Sequence, residues 1–364
     1  MILDTFFNES NLFGSEAVNE NYVDQIEAIP LNENEHPVDA CFRLTLENEQ
    51  NWYNIFNTIA VSEMAFLESH GKDDVMYEAV DVKKIVNTVV QWIQTQFAKL
   101  KGVFEKAIKS IADALNQDKR IIKAIKDKNV DLNQKVKVAQ GRKIWNANVS
   151  AGEIPAIFSD QIGITTNKYV TLNEGKSKEY VESMKKEWAE KKATILNDVR
   201  GNILKQIGSY SGGGCEQKDF LKKLGEVMLT EVKEGGATYD LKTFYNKIKD
   251  GTSKSELDKA FSSVKDSFNK MIKEAKDVQK NANKSGENYE LIVDICGLKT
   301  EVIKSHISII TSGSGAVIRA VGTDYATARA ILKNSISSTK KPEKEKKKAV
   351  GESAIEEDII CTII

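Results

Sequence analysis

Apolar residues recur at three- and four-residue intervals along most of this chain, the spacing that places them on one face of an α-helix. Trp52, Ile55, Phe56, Ile59, Met64, Phe66 and Leu67 mark an amphipathic helix from Asn51 to Ser69, ended by Gly71. Val82, Ile85, Val86, Val89, Ile93, Leu100, Val103, Phe104, Ala107, Ile108 and Ile111 mark a longer one from Val75 to Leu115. Gly102 is its weak point, a place to divide or bend. A Lys-rich helix is predicted over 117–129. Four more stripes follow: Val181 to Ile207, Phe220 to Met228, Leu257 to Val278, and Ile292 to Ile310. A last one, Ile318 to Ile336, comes after Gly313-Ser-Gly315, which reads as a turn between helices. Ser253-Lys-Ser-Glu256 has the spacing of a capping box.

Alternation replaces this spacing in two places. Cys41 to Leu46 reads as a short strand. Lys135 to Val138, Lys143 to Val149, Glu153 to Phe158 and Lys168 to Leu172 read as β-segments, punctuated by Gly141, Gly152, Pro155 and Gly163. The predicted architecture is mainly α: a helical bundle with a small β-rich insertion and extended terminal arms. Its parts are an acidic arm (1–46), an amphipathic helical region (47–130), the β-rich insertion (131–173), a helical bundle (174–336), and a charged linker with a hydrophobic tail (337–364).

Composition agrees with long helices, since 364 residues hold only four prolines. The net charge of −1 conceals a polarised chain. Residues 1–80 carry 16 acids against Arg43 and Lys72, while residues 81–150 carry 15 bases against six acids. One reading is a set of solvated faces. A sharper one is an acidic arm that shields the basic helix until a partner replaces it. Residues 340–348 form a basic run, and the last 14 residues hold four acids and no base. Nothing resembles a secretory leader, and no stretch approaches the ~18 apolar residues of a membrane span.

Candidate chemistry is sparse. Cys41, Cys215, Cys296 and Cys361 lack short-range pairing, as do His36, His70 and His306, so no metal framework or cofactor site is expected. His306 and Cys296 read as buried structural residues on an apolar helix face. Gly175-Lys176-Ser177 lacks the earlier glycine of a phosphate-binding loop, because Val170 stands there. Cys361-Thr-Ile-Ile364 is a poor prenylation box; the tail's Ile359, Ile360, Ile363 and Ile364 better suit docking as an added strand. Lys99, Lys101, Lys106 and Lys109, with Trp92 and Phe97 opposite, are candidates for partner contact, including non-specific contact with nucleic acid or a membrane surface through the 83–143 basic region.

Asn8-Glu-Ser-Asn-Leu-Phe13, Glu49-Gln-Asn-Trp52-Tyr-Asn-Ile-Phe56, Ala60-Val-Ser-Glu63, Phe66-Leu-Glu68, Tyr77-Glu-Ala-Val80, Trp92-Ile and Lys101-Gly-Val-Phe104, together with Ala326-Thr-Ala-Arg-Ala-Ile331 and the charged, apolar-tipped tail, carry a resemblance. It covers about the first 115 residues and the last 50. Over these stretches the chain resembles internal or minor virion structural proteins of large tailed bacteriophages of low-GC Gram-positive hosts. The resemblance implies a head-associated virion component without catalytic activity, assembled in the host cytoplasm on other virion proteins or copies of itself. It also implies processing after Glu in Ile/Leu-x-Glu, for which Glu174 and Glu357 qualify. A non-specific DNA- or membrane-surface-binding module and an enzyme with an unrecognised site are the competing readings.

Overall fold

The computed structural model describes residues 21–48, 50, 75–173, 175–282 and 289–338. Among the described residues there are eight helices and two small two-stranded sheets. The helices are α1 (37–48), α2 (Val75–Asp127), α3 (Ile154–Val170), α4 (Lys178–Ile207), α5 (Gln217–Met228), α6 (Leu241–Lys249), α7 (Thr252–Ala282) and α8 (Tyr289–Ser338). The mainly-α bundle is as expected. The stretch 51–69, Glu174 and the segment 339–364, with Glu357 and the tail isoleucines, lie outside the described residues.

Two helices set the scale. The 53 residues of α2 and the 50 of α8 each run about 75–80 Å at 1.5 Å per residue. They pack against each other and against α7, and α3 covers α7 and α8. Ile85, Ile93, Leu100, Val103 and Phe104 of α2 meet Val264 and Phe268 of α7 and Val302, Ile303 and Ile307 of α8 in one continuous core. Phe97 packs on Phe261 and Phe268, at centroid distances of 6.0 and 5.4 Å. Aromatic pairs at these separations add modestly to the area they bury.

Several expectations are corrected. Cys41 to Leu46 is helical, not a strand. Its helix starts at Pro37, where a missing N–H is harmless, and the His36 ring accepts the Val38 N–H (3.3 Å). Glu153 to Phe158 and Lys168 to Leu172 belong mostly to α3. Its buried Ile154, Ile157, Phe158, Ile162 and Tyr169 keep helical spacing, and Pro155 stands in the first turn. The predicted helices on either side of residue 116 are one helix, and so are those on either side of Gly313-Ser-Gly315. Glycine serves close approach in that second case. A Cβ on Gly313 would lie 2.3 Å from the Phe158 ring, and one on Gly315 would lie 2.8 Å from Cys41 Cβ. These glycines let α3 and α1 seat directly on α8.

The β-structure is smaller than expected and not confined to 131–173. β1 (Lys135–Val138) pairs antiparallel with β4 (Ala237–Asp240), and β2 (Lys143–Trp145) pairs antiparallel with β3 (Leu229–Glu231). Both partners come from the loop after α5. Asp324 on α8 ties this part to the bundle: it accepts the Trp145 N–H (3.0 Å) and forms an ion pair with Lys247 of α6. Glu256 does not close the predicted capping box; its carboxylate accepts the Gly152 N–H instead (2.7 Å). Gly175-Lys176-Ser177 is a helix entry, with Ser177 Oγ accepting the Tyr180 N–H (3.3 Å).

Candidate assembly interface

Residues 21–36 run as a strap across α2 and α7, with turns at 22–25 and 33–34. At its start Tyr22 lies under Lys276 Nζ, 4.1 Å from the ring centroid, and the Val23 N–H donates to Asn269 Oδ1 (3.1 Å). Asp24 pairs with Lys265 at 2.5 Å. The strap then meets α2 at Gly102. The Ile29 N–H donates to the Ala98 carbonyl (3.0 Å), and a Cβ on Gly102 would lie 2.1 Å from the Ile29 carbonyl oxygen. Gly102 is therefore a notch for the strap, not a break; α2 passes through it without interruption.

Lysines hold the rest. Lys101 Nζ donates to the Ile26 carbonyl (2.8 Å). Lys106 Nζ donates to the carbonyls of Asn32 (2.8 Å), Glu33 (2.8 Å) and Glu35 (2.6 Å), using all three ammonium protons. Lys99 reaches Glu47 of α1 at 2.8 Å, and Glu47 also pairs with Arg43. Arg43 completes the set by pairing with Glu35 at 2.7 Å. Carboxylates and peptide carbonyls thus share the holding, with Asp24, Glu35 and Glu47 in ion pairs. Four of the five contacts made by these three lysines are to peptide carbonyls, which carry no sequence signature.

The candidate contact residues separate accordingly. Lys101 and Lys106 are engaged by the chain's own arm and Lys99 by Glu47 of α1, while Lys109 is exposed. Trp92 and Phe97 are buried in the α2 core and offer no surface to a partner; this corrects their assignment as contact residues. The widened stripe at these two positions faces the bundle. Exposed cations persist towards the end of α2, at Lys119, Arg120, Lys123 and Lys126.

α1 presents the face that periodicity missed. Phe42 and Leu46, one turn apart, are 60 % and 52 % exposed. Phe42 borders a groove of about 1020 Å³ between α1, α5, β3 and α8. Leu221, Leu229 and Ala316 are among its apolar lining residues. The α1 side of this groove was not legible in the sequence, because 41–46 alternates like a strand.

Buried polar chemistry lies elsewhere. His306 is enclosed between α8 and α3, with Nε2 2.9 Å from Thr166 Oγ1. The Thr166 hydroxyl is also 2.8 Å from the Ile162 carbonyl, to which it donates. Burial, aided by Lys270, lowers the His306 pKa to about 3. Nearby, a cavity of about 360 Å³ is lined by Glu274, Asp277 and Lys299. Burial pushes the Glu274 carboxyl up and the Lys299 ammonium down, and Glu274 Oε2 is buried without a hydrogen-bond partner. Among the described residues the lining contains no Cys, His or Ser. Burial also raises the Cys41 and Cys296 thiols to about 12, which disfavours the nucleophilic thiolate. Among the described residues no cluster of His, Cys, Asp or Glu could hold a metal ion, and no helix is long and apolar enough to cross a membrane.

The chain matches no protein-family model, curated protein or solved structure.

Proposed function

We propose that this chain is a non-catalytic structural protein of a tailed-phage particle, head-associated, which assembles through its terminal arms and helix faces. The observation that carries this is the strap. It is an irregular segment held through its backbone carbonyls by a few lysines and seated in a glycine notch, with Phe42 and Leu46 left open beside it. Such contacts depend on main-chain shape rather than on a catalytic constellation, the kind of contact by which an arm can also be taken up by a second copy or another virion protein. The virion resemblance of the terminal regions supports the same conclusion. Mass spectrometry of purified particles tests it. The expected result is this chain at a fixed copy number, with processing after Glu174 or Glu357 visible as new termini. Complete absence from particles overturns the proposal.

A second reading has its own observation. The exposed Lys119, Arg120, Lys123 and Lys126 leave part of the basic region free for polyanions, including packaged DNA. Neutralising these four residues together is expected to flatten the salt dependence of duplex DNA binding, because each lost phosphate contact lowers the log–log slope by about 0.9. Binding that stays unchanged rules this surface out.

A further inference from the structure

We propose that the groove between α1, α5, β3 and α8 is the docking site of this chain's own Ile359–Ile364 segment, which adds as a third strand to the outer edge of β3. This rests on the terminal arms being assembly elements, but it is decided by geometry that the particle experiment does not probe.

Consider first the edge. In the β2–β3 ladder the Gly141 N–H donates to the Val232 carbonyl (2.9 Å), and the Val232 N–H donates to the Arg142 carbonyl (2.8 Å). Peptide groups alternate in direction along an antiparallel strand, so those of Glu231 point away from β2. The far edge of β2 is already taken, since its Trp145 N–H is bound by Asp324 of α8. β3 is therefore the edge left for a new strand, and Leu229 to Lys233 line the groove. An unpaired edge beside an apolar trough is the arrangement that accepts an extended peptide: main-chain bonds supply affinity and pockets take alternate side chains.

The occupant fits by composition, reach and charge. Ile-Ile-Cys-Thr-Ile-Ile is apolar and rich in β-branched residues, which favour strands. Phe42 of α1 and Leu221, Leu229 and Ala316 offer it apolar surface. From the end of α8 at Ser338 back to Ala316 is about 33 Å at 1.5 Å per residue. The intervening residues 339–358 span up to about 66 Å when extended. Glu356, Glu357 and Asp358 directly precede the isoleucines, and exposed Lys222, Lys233, Lys143 and Arg319 stand on the groove's rim. The rim also carries Asp39, Glu226 and Glu231, so the match is with its cations rather than with a uniformly basic surface.

The native Cys361 makes this testable in the full chain. Cys41, Cys215 and Cys296 are buried. Thr230→Cys places an exposed thiol on β3 within the groove lining; Ser255→Cys places one at an exposed position of α7 as a control. Under mild oxidation, with dilute protein, the Thr230→Cys chain is expected to form an intramolecular disulfide to Cys361 at least tenfold faster than the control. Adding Phe42→Asp is expected to erase that advantage. As a check independent of both substitutions, the Glu231 and Lys233 amides are expected to exchange at least tenfold more slowly in the full chain than in one lacking 359–364. Equal disulfide rates in the two variants overturn the proposal, as does equal exchange with and without the segment. A disulfide that forms only between molecules assigns the groove to a second copy and overturns docking within the chain. None of these outcomes depends on whether the protein is found in particles.

Discussion

Gly102→Ala is expected to release the strap from α2 while leaving α2 itself intact. On local propensity alone the substitution should help, because alanine exceeds glycine in a helix interior by about 1 kcal/mol. The structure reverses that expectation for the strap. The new Cβ falls 2.1 Å from the Ile29 carbonyl oxygen, and that atom is backbone, so it cannot rotate away as a side chain would. Relief requires the strap to lift. Lifting breaks the Ile29–Ala98 hydrogen bond and draws the Ile26 and Asn32–Glu35 carbonyls off Lys101 and Lys106. Hydrogen bonds to charged donors contribute about 1.5–3 kcal/mol each, so their loss together outweighs the gain in helix propensity. The expected readout is cleavage within 21–36 at least tenfold faster in limited proteolysis, with the helical circular dichroism unchanged. Unaltered protection of the strap would refute the notch. A companion chain carrying Lys106→Met tests the lysine contribution separately, without a steric clash.

The same residue shows where sequence reading stops. The stripes of α2, α4, α5 and α7 were legible because a buried helix face writes its period into the chain. His306 and Cys296 are buried as their apolar neighbours suggested. Glycine, however, has one signature for three uses. Gly102 suggested a bend and Gly313-Ser-Gly315 a turn, yet both sites are uninterrupted helix where another backbone or ring comes close. That distinction lives in the neighbour, not in the local sequence. α3 was missed for a related reason. Its β-branched residues, Pro155 and Gly163 favour strand punctuation, but packing against α7 and α8 decides. The charge asymmetry did point to the arm lying on the basic helix. What it did not reveal is that peptide carbonyls, rather than carboxylates, make four of the five contacts of Lys99, Lys101 and Lys106. Carbonyls are present at every position, so no pattern could mark them. The face carrying Phe42 and Leu46 was hidden because the six alternating residues 41–46 fit a strand as well as a short helix.

Acidification is expected to weaken the fold through His306, and the sign follows from where its proton is absent. The ring's pKa falls from the ordinary 6.5 to about 3 in the folded chain, mainly through burial and secondarily through Lys270 of α7. Between those values the unfolded chain binds a proton that the folded chain refuses. Stability contributed by the neutral ring is thus fully present above about pH 6.5 and is lost as pH falls towards 3. One such proton corresponds to about 1.4 kcal/mol per pH unit inside the window. Glu274 and Lys270 line a second, smaller cavity together with His306, and Glu274 acts in the opposite sense. Its carboxyl is raised by burial, so its contribution is lost as pH rises through the folded value. The histidine contribution is isolated by comparison with His306→Gln, whose amide can still hydrogen-bond with Thr166 Oγ1 but does not titrate. In urea unfolding between pH 6 and pH 4, the difference in stability between the two chains is expected to shift by about 2–3 kcal/mol towards the glutamine variant. Parallel stability curves for the two chains would mean that the ring accepts its proton without leaving the core. The enclosed pair of His306 and Thr166, bounded by Lys270 and Glu274, would then not set the acid limit of this bundle.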